Sequence, residues 1–274
     1  MKNKYILAVH FQYMADGGKI AHELFDSGNP FIASIVPNLL MPAMKTEEGE
    51  DNFNRIHPPE NYYPDWAIEI FRENKHNPNV VWAQEGYRHC CGKCYNNLKE
   101  NNENGLGNWP DPYHEHVCLD GSAQFLEKQI EVIGKGKKLI KNVLEIKPLI
   151  YCPPNHLYNN DTLRAVNENN FAGFLTRNGF DYLIPDLIEL PAYGEKVDNK
   201  TIIIFPETKK GKSPLIMTYY NHICNGNVPN WKELLENSKS INKLSLDIRD
   251  KPKFKAWANK KLIFISKEMR DKTN

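Results

Sequence analysis

The chain has 274 residues, 41 % of them hydrophobic, with 35 basic against 34 acidic side chains for a formal net charge of +1. That length supports one large α/β core, and so balanced a charge supplies no field for holding a nucleic-acid backbone or an anionic membrane, so neither is expected as a partner. The six cysteines are not spaced like the framework of a small secreted domain and are expected to be reduced thiols or ligands.

Short apolar runs alternate with amphipathic stretches from the start, which predicts strands joined by crossover helices into a mostly parallel sheet. Tyr5 to Val9 reads as the first strand, too short for a signal-peptide core or a membrane span, and a cytoplasmic location follows as the expectation. Lys19 to Asp26 reads as a helix closed by Gly28, and Phe31 to Val36 as a second strand stopped by Pro37. Leu39 to Tyr63, rich in proline and carrying the acidic run Glu47-Glu48-Gly49-Glu50-Asp51, reads as an excursion outside the core. Pro64 opens a helix over Asp65 to Asn74, and Val80 to Ala83 is an unalternating strand of the kind buried on both faces.

A polar insertion runs from about Cys90 to Asp120. A helix is then predicted over Ser122 to Leu144, with Gly134 and Gly136 as its weak points. Leu149 to Tyr151 is a strand ended by Cys152-Pro153-Pro154, Asp161 to Asn169 a helix, and Gly173 to Thr176, Thr201 to Phe205 and Leu215 to Tyr219 the later strands. Beyond residue 228, an amphipathic helix around Trp231 to Leu235 leads into a charged segment and the apolar run Leu262 to Ile265. This 229–274 stretch is read as an appendage of the same domain as 1–228, able to pack back on it or to support a homo-oligomer.

In parallel α/β folds functional groups collect where strands end, because loops converge there over a rigid sheet. Four predicted strand ends carry polar residues: His10; Glu85 with His89; the turn Cys152-Pro153-Pro154-Asn155-His156; and His222. A single histidine at such a place is more often a structural hydrogen-bonding group, so the weight lies in the convergence. In the insertion, Cys91 and Cys94 have the spacing that lets a tight turn point two thiolates at one metal. With His114, His116 and Cys118 they form a candidate structural zinc site; the alternative is thiols and solvated histidines in a loop.

Glu85-Gly86-Tyr87-Arg88-His89 resembles the His-x-x-x-His metal motif of polysaccharide deacetylases. Tyr151-Cys152-Pro153-Pro154 followed by Asn160-Asp161-Thr162-Leu163 is similar to their Arg-Pro-Pro strand end, and Leu215 to His222 resembles their closing strand. The resemblance spans roughly residues 5 to 225 in the expected order. It implies a distorted (β/α) barrel with about seven mostly parallel strands. It also implies a divalent metal, zinc by preference, held by Glu85, His89 and His116, with His10 taking the proton from water and His222 protonating the departing amine. Asp16, Asn155, His156 and Trp109 are the expected substrate contacts.

The departures are as informative. The family's Asp-Asp pair after the first strand is replaced by His10-Phe11, so either His10 takes over as ligand or base, or a nearby carboxylate such as Asp16 does, or the ordinary activity is lost; Cys152 stands where an arginine would orient the base. The function implied is metal-dependent hydrolysis of a carbon–nitrogen bond, most naturally deacetylation of an N-acylated sugar or a related small amide. Two alternatives stay open: an altered barrel that binds a carbohydrate or a protein, and a glycosidase sharing the barrel, which would need a second carboxylate.

Overall fold

Strand parity organises the molecule. In the computed structural model, which describes residues 6–12, 14, 16–43, 62–89, 115–118, 122–154, 157–171, 173–176, 188–191, 195–197, 201–203 and 215–238, successive strand residues point alternately into the sheet's concave interior and towards the helices. The strands are β1 (Ile6–Phe11), β2 (Phe31–Ile35), β3 (Val80–Glu85), β4 (Ile150–Cys152), β5 (Gly173–Thr176), β6 (Ile188–Pro191), β7 (Glu195–Val197), β8 (Thr201–Ile203) and β9 (Leu215–Tyr219). Seven of them form one sheet in the order β6-β5-β4-β3-β2-β1-β9, every neighbouring pair parallel, and β7 and β8 form a separate antiparallel pair. Among the described residues β6 and β9 are the two edges, so the sheet is an open, barrel-like curl.

The helices are α1 (Lys19–Asp26), α2 (Asp65–Glu73), α3 (Leu126–Leu144), α4 (Asn160–Glu168), α5 (Tyr220–Cys224) and α6 (Trp231–Glu236), with a 3₁₀ segment at Pro37–Ala43. The main core lies between them and the outer face of the sheet. Leu7, Val9 and Phe11 of β1, Phe31, Ala33 and Ile35 of β2, and Val80 and Trp82 of β3 meet Leu24, Phe25, Ile70, Phe71, Ile140 and Leu144 there. Phe11 stacks on Phe25 at 5.6 Å and meets Phe71 edge-on at 5.4 Å, while Phe25 stacks on Trp82 at 5.7 Å. Burying each such ring contributes roughly 1.5–3 kcal/mol, so this cluster anchors the first three strands.

The opposite parity fills the interior with a smaller cluster: Ala8, Ile32, Val81, Ala83, Ile150, Cys152, Leu175 and Met217. Residue Leu234 and its neighbour Leu235 on α6 join the main core, and Ser238 donates to the Pro30 carbonyl, so the start of the 229–274 stretch packs against the sheet. Residues 239–274 lie outside the described part. Among the described residues no helix is long and apolar enough to cross a membrane.

Three expectations change. The helix predicted from Ser122 begins at Leu126, because the chain before it is held extended by the Val117–Ala123 bridge and by the Gln124 N–H on the His116 carbonyl at 2.9 Å. Gly134 and Gly136 do not break it. A Cβ at Gly136 would stand 2.4 Å from Gln84 Nε2, so the glycine is what lets α3 approach β3. Thr201–Ile203 pairs outside the main sheet, whose edge is the short β6 that the sequence reading did not anticipate.

Gln84 has little room to yield, since its Nε2 donates to the carbonyls of Gly86 at 2.8 Å and Ile133 at 3.0 Å. Gly136→Ala is therefore expected to lower stability by about 1–2 kcal/mol, against the ~1 kcal/mol gain usual for this change in an open helix. A urea unfolding curve with a raised midpoint would contradict this account of the α3–β3 contact.

Candidate metal centre at the strand ends

Continuing the interior parity by two residues past the apolar layer gives the residues of the site. Ala8 leads to His10, Ile32 to Ser34, Ala83 to Glu85, Ile150 to Cys152 and Met217 to Tyr219. Strand register sets them side by side: His10 is paired with Ser34 and with Tyr219, and Glu85 with Cys152. The barrel interior thus changes from apolar to polar at the C-terminal ends of its strands. His10 and Glu85 are each 1 % exposed and Cys152 is 0 % exposed.

Glu85 is the centre of this layer. Its Oε1 lies 2.9 Å from His10 Nδ1 and 3.0 Å from His89 Nε2, while Oε2 is buried with no hydrogen-bond partner. Burial opposes the charge, but the two imidazoles outweigh it and hold the carboxyl well below the usual carboxylate range. His89 is likewise opposed by burial and raised on balance by Glu85. Gln12, which shares the parity of His10, brings its Nε2 to 3.1 Å from His89 Nε2.

One donor atom from each of His10, Glu85 and Cys152 lies within 4.8 Å of the others. Donor atoms around a tetrahedral zinc stand about 3.3–3.8 Å apart, given bond lengths of about 2.0–2.3 Å. The nitrogen, oxygen and sulfur present, together with the unpartnered Glu85 Oε2, fit a small divalent cation. Burial first, and the Glu85 charge second, push the Cys152 thiol up. In the absence of a cation it stays a protonated thiol, which argues against a nucleophilic role beside His10.

The loop that carries His89 is fixed by a residue the sequence reading passed over. Glu115 Oε2 accepts the backbone N–H groups of Tyr87 at 2.6 Å, Arg88 at 3.1 Å and His89 at 3.2 Å. Gly86 and His89 both have left-handed backbone, with φ of 55° and 56°. A Cβ at Gly86 would fall 2.2 Å from Glu115 Oε2 and 2.4 Å from Pro154 Cγ, so this position admits glycine alone. The left-handed His89 is costly for a side-chain-bearing residue, and the three N–H bonds to one carboxylate offset that cost.

The other expected residues fall in different places. His116 is buried but stands apart from the cluster, its Nε2 2.6 Å from the Tyr151 hydroxyl and its Nδ1 3.4 Å from Gln124 Oε1. Both ring nitrogens are thereby engaged. Asp16 accepts from the Gly18 and Ile20 N–H groups at the start of α1, at 3.3 and 3.1 Å, and from the Tyr220 hydroxyl at 2.7 Å, a fixed structural arrangement. His222, on α5, packs its ring 5.3 Å from Tyr219, whose ring in turn lies 5.1 Å from His10. Burial lowers the His222 pKa. Cys118 is a buried thiol. Cys91, Cys94, Trp109, His114, Asn155 and His156 lie outside the described residues.

No family model matches the chain, and no curated protein does. Solved structures similar to it in fold include the Xyl-CE4 domain of a multidomain xylanase from the hindgut metagenome of Trinervitermes trinervoides, 9 % identical with a TM-score of 0.45 over 91 % of this chain and 94 % of that one. A de-N-acetylase from Aggregatibacter actinomycetemcomitans is 12 % identical, with a TM-score of 0.44 over 68 % of each chain. A CE4 family pseudoenzyme from Bacillus anthracis is 10 % identical, with a TM-score of 0.43 over 88 % of this chain and 65 % of that one. The likeness lies in the fold, and what the site can do rests on its own geometry.

Two outcomes follow. Glu115→Ala leaves three N–H groups without their acceptor and is expected to cost about 2–4 kcal/mol in denaturant unfolding, more than Glu115→Gln, which keeps an acceptor oxygen. Equal losses would contradict the anchoring role. Burial lowers the His116 pKa below its ordinary 6.5. The unfolded chain therefore binds the extra proton first, and the stability His116 contributes is present above the unfolded pKa and lost as pH falls towards the folded one. His89 has the opposite sign, so the comparison is between the wild type and His116→Gln: the variant is expected to lose less stability between neutral and mildly acidic pH. Parallel curves would count against this.

Proposed function

We propose that the chain is a divergent hydrolase of the polysaccharide-deacetylase type that cleaves carbon–nitrogen amide bonds with a divalent metal, its substrate an N-acylated sugar or related small amide. The observation that carries this reading is Glu85 at the end of β3, buried between two imidazoles with one oxygen unpartnered. A buried carboxylate with an open acceptor is costly unless a cation or donor completes it.

His10 and Glu85 would hold the ion, which would polarise an acyl carbonyl and lower the pKa of a bound water. His89, fixed on Glu85 and beside Gln12, keeps the carboxylate oriented. His222 is half-buried beside Tyr219, and burial makes its imidazolium a stronger acid, suited to giving a proton to the departing amine. A His10 that holds the ion would not also take the proton from water, the role the resemblance implies for it.

The glycosidase alternative needs a second carboxylate facing the first. The other buried carboxylate among the described residues is Glu115, which is committed to backbone N–H groups. No nucleic-acid partner is proposed, in line with the balanced charge. The thiols at Cys118, Cys152 and Cys224 fit a reducing compartment such as the cytoplasm.

The test is release of acetate from N-acetylated chito-oligosaccharides. Chelation is expected to abolish it and zinc to restore it, and Glu85→Gln to lower it roughly 100-fold or more while the fold survives. Turnover unaffected by chelator, or retained by Glu85→Gln, would overturn the reading.

A further inference from the structure

We propose that Cys152 is the third protein ligand of this centre, so that the barrel holds zinc through one imidazole, one carboxylate and one thiolate. The inference rests on the metal-dependent reading of the site and gives it a ligand and a metal preference. Four observations carry it.

The first is placement. Cys152 ends β4 in register with Glu85 at the end of β3, and both continue the inward-facing parity of their strands. The second is proximity, since donor atoms of His10, Glu85 and Cys152 fall within 4.8 Å of one another. The third is that Glu85, a member of this cluster, has a buried oxygen, Oε2, with no hydrogen-bond partner. The fourth is that the hydrogen bond Cys152 Sγ makes, to the Pro153 carbonyl at 3.9 Å, is too long to compete with ligation.

A buried cysteine is ordinarily a small apolar side chain, and Cys152 does pack with Ile150 and Leu175. What distinguishes it is the charge balance of the interior. A divalent ion with Glu85 alone leaves one positive charge in a buried site, whereas Glu85 and a Cys152 thiolate together neutralise it. The balance is simple: the Cys152 S–H bond breaks, its proton leaves to solvent, and the sulfur electron pair forms the metal bond. A thiolate also selects. Soft sulfur favours zinc over magnesium or manganese, which prefer all-oxygen shells. Three protein ligands leave the fourth tetrahedral position for water or substrate, the arrangement of a catalytic centre rather than of a closed structural one.

The experiment is zinc-edge X-ray absorption on the full chain carrying Cys91→Ala and Cys94→Ala, which removes the other thiolate pair that could hold zinc. The expected result is one zinc per chain with one sulfur at about 2.3 Å and nitrogen or oxygen at about 2.0–2.2 Å. Adding Cys152→Ser should remove the sulfur and weaken zinc binding about tenfold or more; adding Cys152→Asp should restore binding with oxygen in its place. The ligand shell of the Cys152-containing protein decides the question even if a Cys152 variant fails to fold. Zinc bound through nitrogen and oxygen alone, or a sulfur that survives Cys152→Ser, overturns this ligand assignment and leaves the hydrolase reading standing. No zinc bound at all overturns both.

Discussion

A buried carboxylate flanked by two imidazoles is the constraint around which the strand ends are arranged. Burial alone would raise the Glu85 pKa, because it penalises the charged carboxylate. His10 from β1 and His89 from the loop after β3 reverse that, each within about 3 Å of the same oxygen. The other oxygen is left without a partner. A buried carboxylate with one oxygen unpartnered is an expensive arrangement to maintain, and a cation is the group that accounts for it most economically.

Much of the surrounding structure serves to keep that carboxylate and its neighbours in place. Phe11, the residue beside His10, points the other way into the aromatic core and locks β1 against α1 and α2. Its carbonyl accepts from the Tyr63 hydroxyl at 2.5 Å, and the same hydroxyl accepts from the Val36 N–H at 3.1 Å, tying the ends of β1 and β2 together. Gln84, next to Glu85 and facing outward, is pinned to α3 across a gap that Gly136 keeps open. Glu115 gathers the backbone of the His89 loop onto one oxygen. The site is therefore supported from the helix side of the sheet as much as from its own side.

The strands nearest the site were legible in the sequence because they are short, apolar and bounded by polar strand ends, and His10, Glu85 and His89 were legible as convergent polar residues. Phe11 illustrates a limit of motif comparison. Read as the second member of a lost metal-binding pair, it is a deficit; read by strand parity, it is a core residue and His10 is the one that faces inward. Cys152 shows the same thing, since as a replacement for arginine it looks like a loss, while two-residue spacing from Ile150 points its thiol at Glu85. Glu115 had no side-chain signature to find, because its partners are main-chain N–H groups; the nearby signal was Gly86, whose missing Cβ makes room for it. His116 could be read as a ligand from its motif, but only the fold reveals Tyr151 and Gln124 on its two nitrogens. The short β6 ends in Pro191, and a proline in so short an apolar run argues against reading it as a strand.

The central claim is that the strand-end cluster around Glu85 is a metal centre. Anomalous diffraction from crystals grown with zinc, collected on both sides of the zinc absorption edge, tests it most directly. The account predicts one peak in the barrel mouth between His10, Glu85 and Cys152. A peak confined to the segment holding Cys91 and Cys94, with the Glu85 cluster empty in zinc-soaked crystals, would contradict it.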